Sequence, residues 1–200
     1  MTLRDPTSGT PLSTWTSDPI PGSAETQVPI TTVESNLGAS VVKPSFYVID
    51  VNSTFAGYFQ HVLWRPSDGT LTNLSTCGSA TKVDTAVLSA IHSTLLSAQY
   101  PSTLVVKSTG STAQTVVLGI YNATTGVKIG TYTTASIPAY AQLQVTALAI
   151  ETQMGHPATT GPYHYVVQVE GTFSGFLQNL VNNTQVGVTT DMSAACTLGG

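Results

Sequence analysis

One stretch of this chain occurs twice. Val51 to Trp64 reads V-N-S-T-F-A-G-Y-F-Q-H-V-L-W, and Val169 to Asn182 reads V-E-G-T-F-S-G-F-L-Q-N-L-V-N. Phe55 and Phe173, Gly57 and Gly175, and Gln60 and Gln178 each stand 118 positions apart. Upstream, Gly9 and Gly126, Trp15 and Tyr132, Pro21 and Pro138, Val28 and Val145, and Glu34 and Glu151 stand 117 apart, so one residue is inserted between 151 and 165. Ordered identities through one small gap predict an internal duplication, and a duplication dictates two units of one architecture.

The architecture follows from the spacing of turns. D-P-T-S-G at Asp5–Gly9 and N-A-T-T-G at Asn122–Gly126 pair a turn-starting Asp or Asn with a glycine that accepts positive φ. Strands are expected at Leu12–Thr16 and Lys128–Thr133, then at Thr26–Thr32 and Ala141–Ala147, with polar loops at Ser35–Lys43 and Thr152–Pro162. Tyr47, Ile49 and Val51, and likewise Tyr165, Val167 and Val169, alternate with residues expected to face water. Gly57 and Gly175 suit a bulge or bend before strands at Tyr58–Trp64 and Phe176–Val181. Final hairpins turn at Ser67-Asp68-Gly69 and Gln185-Val186-Gly187 into strands at Leu71–Leu74 and Val188–Met192. Many short strands with turns every eight to twelve residues or so predict an all-β chain of antiparallel Ig-like sandwiches.

Composition agrees. Hydrophobic residues make up 41% of the 200 residues and charged residues 8%, against about 25% in an average soluble domain. Ser and Thr replace the helix-favouring Lys and Glu. The six Lys and Arg are scattered and the net charge is −4, which argues against nucleic acid as a partner. No apolar run reaches the roughly 18 residues of a membrane span. The N-terminal segment lacks the apolar core of a secretory signal, leaving another export route, processing, truncation or assembly inside a cell.

The units predicted are residues 1–77, a linker at 78–100, and residues 101–200. Within the linker, Val87, Ile91 and Leu95 are spaced for a helix that Asp84 caps; the competing reading is an extended segment that pairs with a sheet edge. Ser102–Val117 reads as a two-stranded hairpin belonging to the second unit. Its counterpart at the repeat offset falls before Met1, so the first unit is expected to lack its N-terminal strands. A sandwich without them exposes core and unpaired backbone. Three remedies are open: more of a tandem array, completion by the linker, or a strand donated by a neighbouring subunit.

Chemistry is sparse. His61, His92, His156 and His164 have no metal-ligand spacing, and no nucleophile elbow, zincin, P-loop or dinucleotide motif occurs. Glu34 and Glu151 recur, at an element end with no partner evident in the sequence. The expectation is a non-enzyme with no cofactor and no metal. The candidate binding residues are Tyr58, His61, Trp64 and Arg65, on one strand and its end. Tyr58 and Trp64 fit either the core or an exposed aromatic strip that stacks on sugars or anchors a protein. Cys77 and Cys196 close the two units; they are candidates for a disulfide, for interchain thiols or for buried free thiols.

G-T-F-S-G-F-L-Q at Gly171–Gln178, and T-F-A-G-Y-F-Q at Thr54–Gln60 with the later Asp68-Gly69 turn, resemble an element of small β-sandwich modules in phage tail, fibre and other virion proteins and in bacterial surface proteins. The resemblance implies a structural or assembly role in a virion, tail fibre or extracellular filament, through self-association or contact with other structural subunits. It brings no catalytic residues. A carbohydrate-binding or adhesion module acting on surface glycans through Trp64 is the alternative, and the exposure of Trp64 separates the two.

Overall fold

The computed structural model describes residues 1–51, 59–75, 87–156, 159 and 161–193. The chain is mainly antiparallel β. In order, it forms β1 (Thr2–Arg4), β2 (Pro11–Thr14), helix α1 (Ile30–Glu34), β3 (Val48–Asp50), β4 (Val62–Arg65), β5 (Thr70–Asn73), β6 (Val87–His92), β7 (Ser102–Ser108), β8 (Val117–Asn122), β9 (Lys128–Thr133), β10 (Gln142–Thr146), helix α2 (Ala147–Met154), β11 (His164–Glu170), β12 (Gly175–Asn183) and β13 (Val188–Asp191).

Two four-stranded sheets, β10-β7-β12-β13 and β6-β11-β8-β9, close on one core. Leu104 and Val106 from β7, Leu118 and Ile120 from β8, Tyr165, Val167 and Val169 from β11, and Leu177 from β12 meet there, with Ile150 of α2 plugging one side. The alternation expected along β11 is observed. Thr146 caps α2, accepting from the Ala149 amide at 3.2 Å, and Gly155 ends it at φ +63. This helix replaces the start of the expected loop.

Two expectations are corrected. In the segment expected as a linker helix, residues 87–92 are instead β6, as in the extended alternative, followed by one 3-10 turn at Thr94–Leu96; Asp84 lies outside the described residues. The free edge of β11 pairs with β6, His164 facing His92 and Tyr165 facing Ile91, and this pairing outweighs a helical spacing of only three residues. Ser102–Val117 is not a hairpin either: β7 lies between β10 and β12, whereas β8 lies between β11 and β9, so the connection crosses from one sheet to the other.

The first part of the chain forms a three-stranded sheet, β2-β1-β3, and a separate β4-β5 hairpin. Their pairings recur downstream. Thr2 faces Thr14 and Asp50 as Gly119 faces Thr131 and Gln168, and the register break after Leu3 recurs after Ile120; 2 to 119 and 14 to 131 are steps of 117, and 50 to 168 is a step of 118. Val62 faces Asn73 as Leu180 faces Asp191, both steps of 118. The turns agree as well. Thr7 and Ser8 donate to Asp5 as Thr124 and Thr125 donate to Asn122, and Gly9 and Gly126 share φ +71.

The first part differs in having, among the described residues, fewer strands in its sheets. Of the strand expected at Thr26–Thr32, residues 26–29 form no strand and residues 30–32 belong to helix α1, and β4 starts only at Val62. Their counterparts in β10 and β12 are held by β7, and among the described residues nothing takes that place in the first part.

Candidate interface

Several matching positions are core in the second part and surface in the first. Val167 is fully buried, whereas Ile49 at the matching position is 45% exposed; Leu177 is 5% exposed and Phe59 is 50% exposed. Val51 and Leu63 are likewise exposed where Val169 and Val181 are buried. Along β3 the expected facing is reversed. Val48 is buried, because Arg4, Asp50 and Val48 lie on the side of the sheet that faces the second part, while Ile49 and Val51 point to the uncovered side. Ile30, Val42, Phe46, Val62, Trp64 and Leu71 add to the apolar surface between residues 30 and 71. A shallow cleft of about 290 Å³ opens nearby, lined by Trp15, Ile20, Pro21, Val28 and Thr32 among others.

Not all of that face is loose. Val33 of α1 and Leu3 of β1 are buried, and Glu34 is held by two partners. The Tyr47 hydroxyl donates to its Oε1 at 2.9 Å and the Lys43 ammonium to its Oε2 at 2.8 Å. Those partners, Lys43 first, hold the Glu34 carboxyl below the usual carboxylate range. Burial, then Glu34, pushes the Tyr47 hydroxyl up to about 12. The arrangement recurs in the second part: Tyr165 donates to Glu151 Oε1 at 2.8 Å, and the Thr94 amide adds a bond at 2.9 Å. Here both residues are buried, and desolvation, then Glu151, raises the Tyr165 hydroxyl strongly. The recurring glutamates therefore have partners: Tyr47, just before β3, and Tyr165, within β11. The pairing of Glu34 with Tyr47 and Glu151 with Tyr165 in both copies was the available signal.

The two parts are joined by polar contacts. Arg4 pairs with Asp50, donates to the Gly9 carbonyl at 3.0 Å, and stacks its guanidinium 4.5 Å from the centre of the Tyr140 ring. The Gln142 amide donates to the Pro6 carbonyl at 2.8 Å. Lys107, almost fully buried, donates to the Ser108 and Tyr140 carbonyls, and burial lowers its ammonium to about 8 despite the nearby Asp50 charge. At the other end Gln178 donates to the Leu74 carbonyl at 2.8 Å.

The sequence-predicted residues separate. Trp64 is 63% exposed, beside Leu71 across the hairpin and Val62 on its own strand, so its surroundings are apolar. Arg65 is a joint rather than a free anchor: it pairs with Asp68 and donates to the Val186 and Gly187 carbonyls of the second part. His61 is exposed overall, and loss of water around the ring holds its imidazole below the ordinary value. Its amide donates to Ser75 Oγ, as the Asn179 amide donates to Ser193 Oγ. Tyr58, Cys77 and Cys196 lie outside the described residues, and so do the expectations placed on them. Among the described residues no helix is long and apolar enough to cross a membrane, and no group of three His, Cys, Asp or Glu residues is placed to hold a metal ion. No family model, curated protein or solved structure matches this chain.

Proposed function

We propose that this chain is a non-enzymatic structural subunit of a larger assembly, of the kind found in a virion, tail fibre or extracellular filament. It acts through sheet edges and apolar faces. Residues 1–77 and 101–200 are read as two copies of one Ig-like sandwich unit. The matching registers, turns and Tyr–Glu bonds at offsets of 117 and 118 support that reading. The observation that carries the function is the contrast at equivalent positions: Ile49 and Phe59 are half exposed where Val167 and Leu177 are core. Evolution of a core pattern on a surface is expensive to keep in water unless something covers it.

Native mass by size exclusion with light scattering, with and without reductant, tests the reading. A species larger than the 20.8 kDa monomer that grows with concentration supports it. Collapse of that species on reduction would assign Cys77 or Cys196 to the joint. A monomer at all concentrations, alone and with candidate structural partners, sinks it.

A second reading, a glycan-binding or adhesion module, is favoured by one observation, the exposure of Trp64. Stacking on a sugar ring needs hydrogen-bonding groups beside the aromatic face. The residues flanking Trp64 are Val62 and Leu71, which suits an apolar protein contact better. Quenching of Trp64 fluorescence by a glycan, abolished in Trp64→Ala, would favour the second reading.

A further inference from the structure

We infer that the cleft beside Trp15 is a binding site for a neutral mono- or disaccharide, with the indole as the stacking surface. The inference is independent of the assembly reading, and it places the sugar at a different indole from Trp64. The cleft measures about 290 Å³, near the lower end of the range of small-ligand sites, about 300–1,000 Å³. It has two walls. One is the segment leaving β2, from Trp15 to Pro21, and the other is the segment entering α1, from Glu25 to Pro29, with Thr32 of the helix beside it. Backbone bonds hold both. The Trp15 amide donates to the Met1 carbonyl at 2.9 Å, and the Ala24 amide donates to the Pro21 carbonyl at 3.1 Å in the turn between the walls. The Asn36 side-chain amide donates to the Thr14 carbonyl at 3.0 Å and ties the end of α1 to β2. Pro19, Pro21 and Pro29 fix their own φ, so less freedom is lost when a ligand seats.

The lining supplies what stacking on a sugar needs and what the surroundings of Trp64 do not. Beside the half-buried Trp15 lie the hydroxyls of Ser17 and Thr26, the carboxylates of Asp18 and Glu25 and the carboxamide of Gln27. Among the described residues, none of these five polar side chains forms a hydrogen bond or ion pair within the chain. The other acidic side chains described are all engaged, as Glu34, Asp50 and Asp191 are. The polar groups of the cleft can therefore bind a ligand without breaking an internal bond.

Charge and hydrogen-bonding capacity select the ligand class. Two carboxylates and no Lys or Arg line the cleft, which disfavours a phosphate, a sulfate or an acidic sugar. An ammonium ligand suits the carboxylates but brings donors only, and leaves the donors of Ser17, Thr26 and Gln27 unmatched. Sugar hydroxyls donate and accept, and the apolar face of the ring covers the indole. The arrangement is confined to the first part. At the positions 117 further on, Asp18, Glu25 and Thr26 give way to Ala135, Gln142 and Leu143, and the half-buried Ile20 and Val28 to Ile137 and Val145 of the core. The carboxylates stand where the cleft opens and not where the core closes.

The test uses the full chain carrying Trp64→Phe, in which Trp15 is the one remaining tryptophan. Maltose, cellobiose, lactose and diacetylchitobiose are titrated to about 20 mM, with binding read by Trp15 fluorescence and by saturation-transfer NMR. The expected result is a saturable response to at least one of them, with half-saturation on the order of 1 mM. Asp18→Ala and Glu25→Ala alter exposed side chains, so they should melt like the parent while weakening binding by about tenfold each. Trp15→Ala should abolish binding and Trp15→Phe should retain part of it. No saturable response to any of the four sugars overturns the inference. A response to tetramethylammonium chloride without one to the sugars overturns it in favour of a cation site. Binding by the unsubstituted chain that Trp64→Phe removes, or binding unchanged by both Asp18→Ala and Glu25→Ala, puts the sugar elsewhere and also overturns it. A chain that binds sugar yet stays monomeric with every partner tried keeps this inference and loses the assembly reading; an assembly that binds no sugar does the reverse.

Discussion

Removing one hydroxyl tests the internal logic of the fold. Tyr165→Phe deletes the donor to Glu151 Oε1 and leaves the ring in place. Tyr165 and Glu151 are both about 1% exposed, so water does not readily replace the lost bond. A hydrogen bond to a charged group contributes about 1.5–3 kcal/mol. For a chain of this size 1 kcal/mol moves the melting temperature by about 2–4 °C, so a fall of about 3–12 °C is expected by calorimetry. The Thr94 amide still holds the carboxylate, which keeps the loss toward the lower half of that range. Tyr47→Phe makes the same deletion at the matching site, where solvent reaches Glu34 and Lys43 also pairs with it, so a smaller fall is expected. A Tyr165→Phe protein that melts within roughly 1 °C of the parent, or a Tyr47→Phe protein that loses as much, would refute the argument from burial.

Other paired substitutions use the same contrast. Leu177→Ala should cost about 2–5 kcal/mol by urea unfolding, whereas Phe59→Ala, at the matching exposed site, should cost under about 1 kcal/mol. Gly126→Ala should cost about 1–2 kcal/mol, because its φ of +71 is disfavoured while the space around it is open. Gly9→Ala, at the same φ, should cost more and loosen the two parts from each other, since the added carbon would lie 1.9 Å from the Ala139 carbonyl oxygen. Lys107 predicts a pH dependence. Its folded value, about 8, lies below the ordinary 10.5, so between those values the unfolded chain binds more protons and stability rises with pH. That rise should be visible in urea midpoints from about pH 8 to 10 and absent in Lys107→Met. Above about pH 10 it should reverse, because Tyr47 and Tyr165 are held protonated in the fold while unfolded tyrosines ionise.

Strand positions were legible where turn and alternation agreed. Lys128–Thr133 is β9 as expected, and Tyr165, Val167 and Val169 point inward as the pattern requires. The helix α2 was missed although Thr146 and Gly155 mark its two ends, because the strand pattern before it was extended through Ala147. β6 was obscured for the opposite reason: Val87, Ile91 and Leu95 carry a helical spacing, and only the open edge of β11 selects the extended form. The reversal along β3 was not legible at all. Periodicity states that Val48 and Ile49 face opposite ways, but which side is covered depends on whether the neighbouring strands are present. The repeat offset matched positions between the two parts but left open which of them are covered, and the paired exposures of Ile49 with Val167 and Phe59 with Leu177 locate the difference.

The most direct test of the account is hydroxyl-radical footprinting of the side chains of Ile49 and Leu63 as a function of assembly, with Val167 and Val181 as internal references in the same molecule. The account predicts strong labelling of Ile49 and Leu63 in dilute monomer, weak labelling once the chain is assembled with itself or its partner, and weak labelling of Val167 and Val181 throughout. Equal labelling of both pairs in the dilute monomer, or continued strong labelling of Ile49 and Leu63 within the assembly, would contradict it.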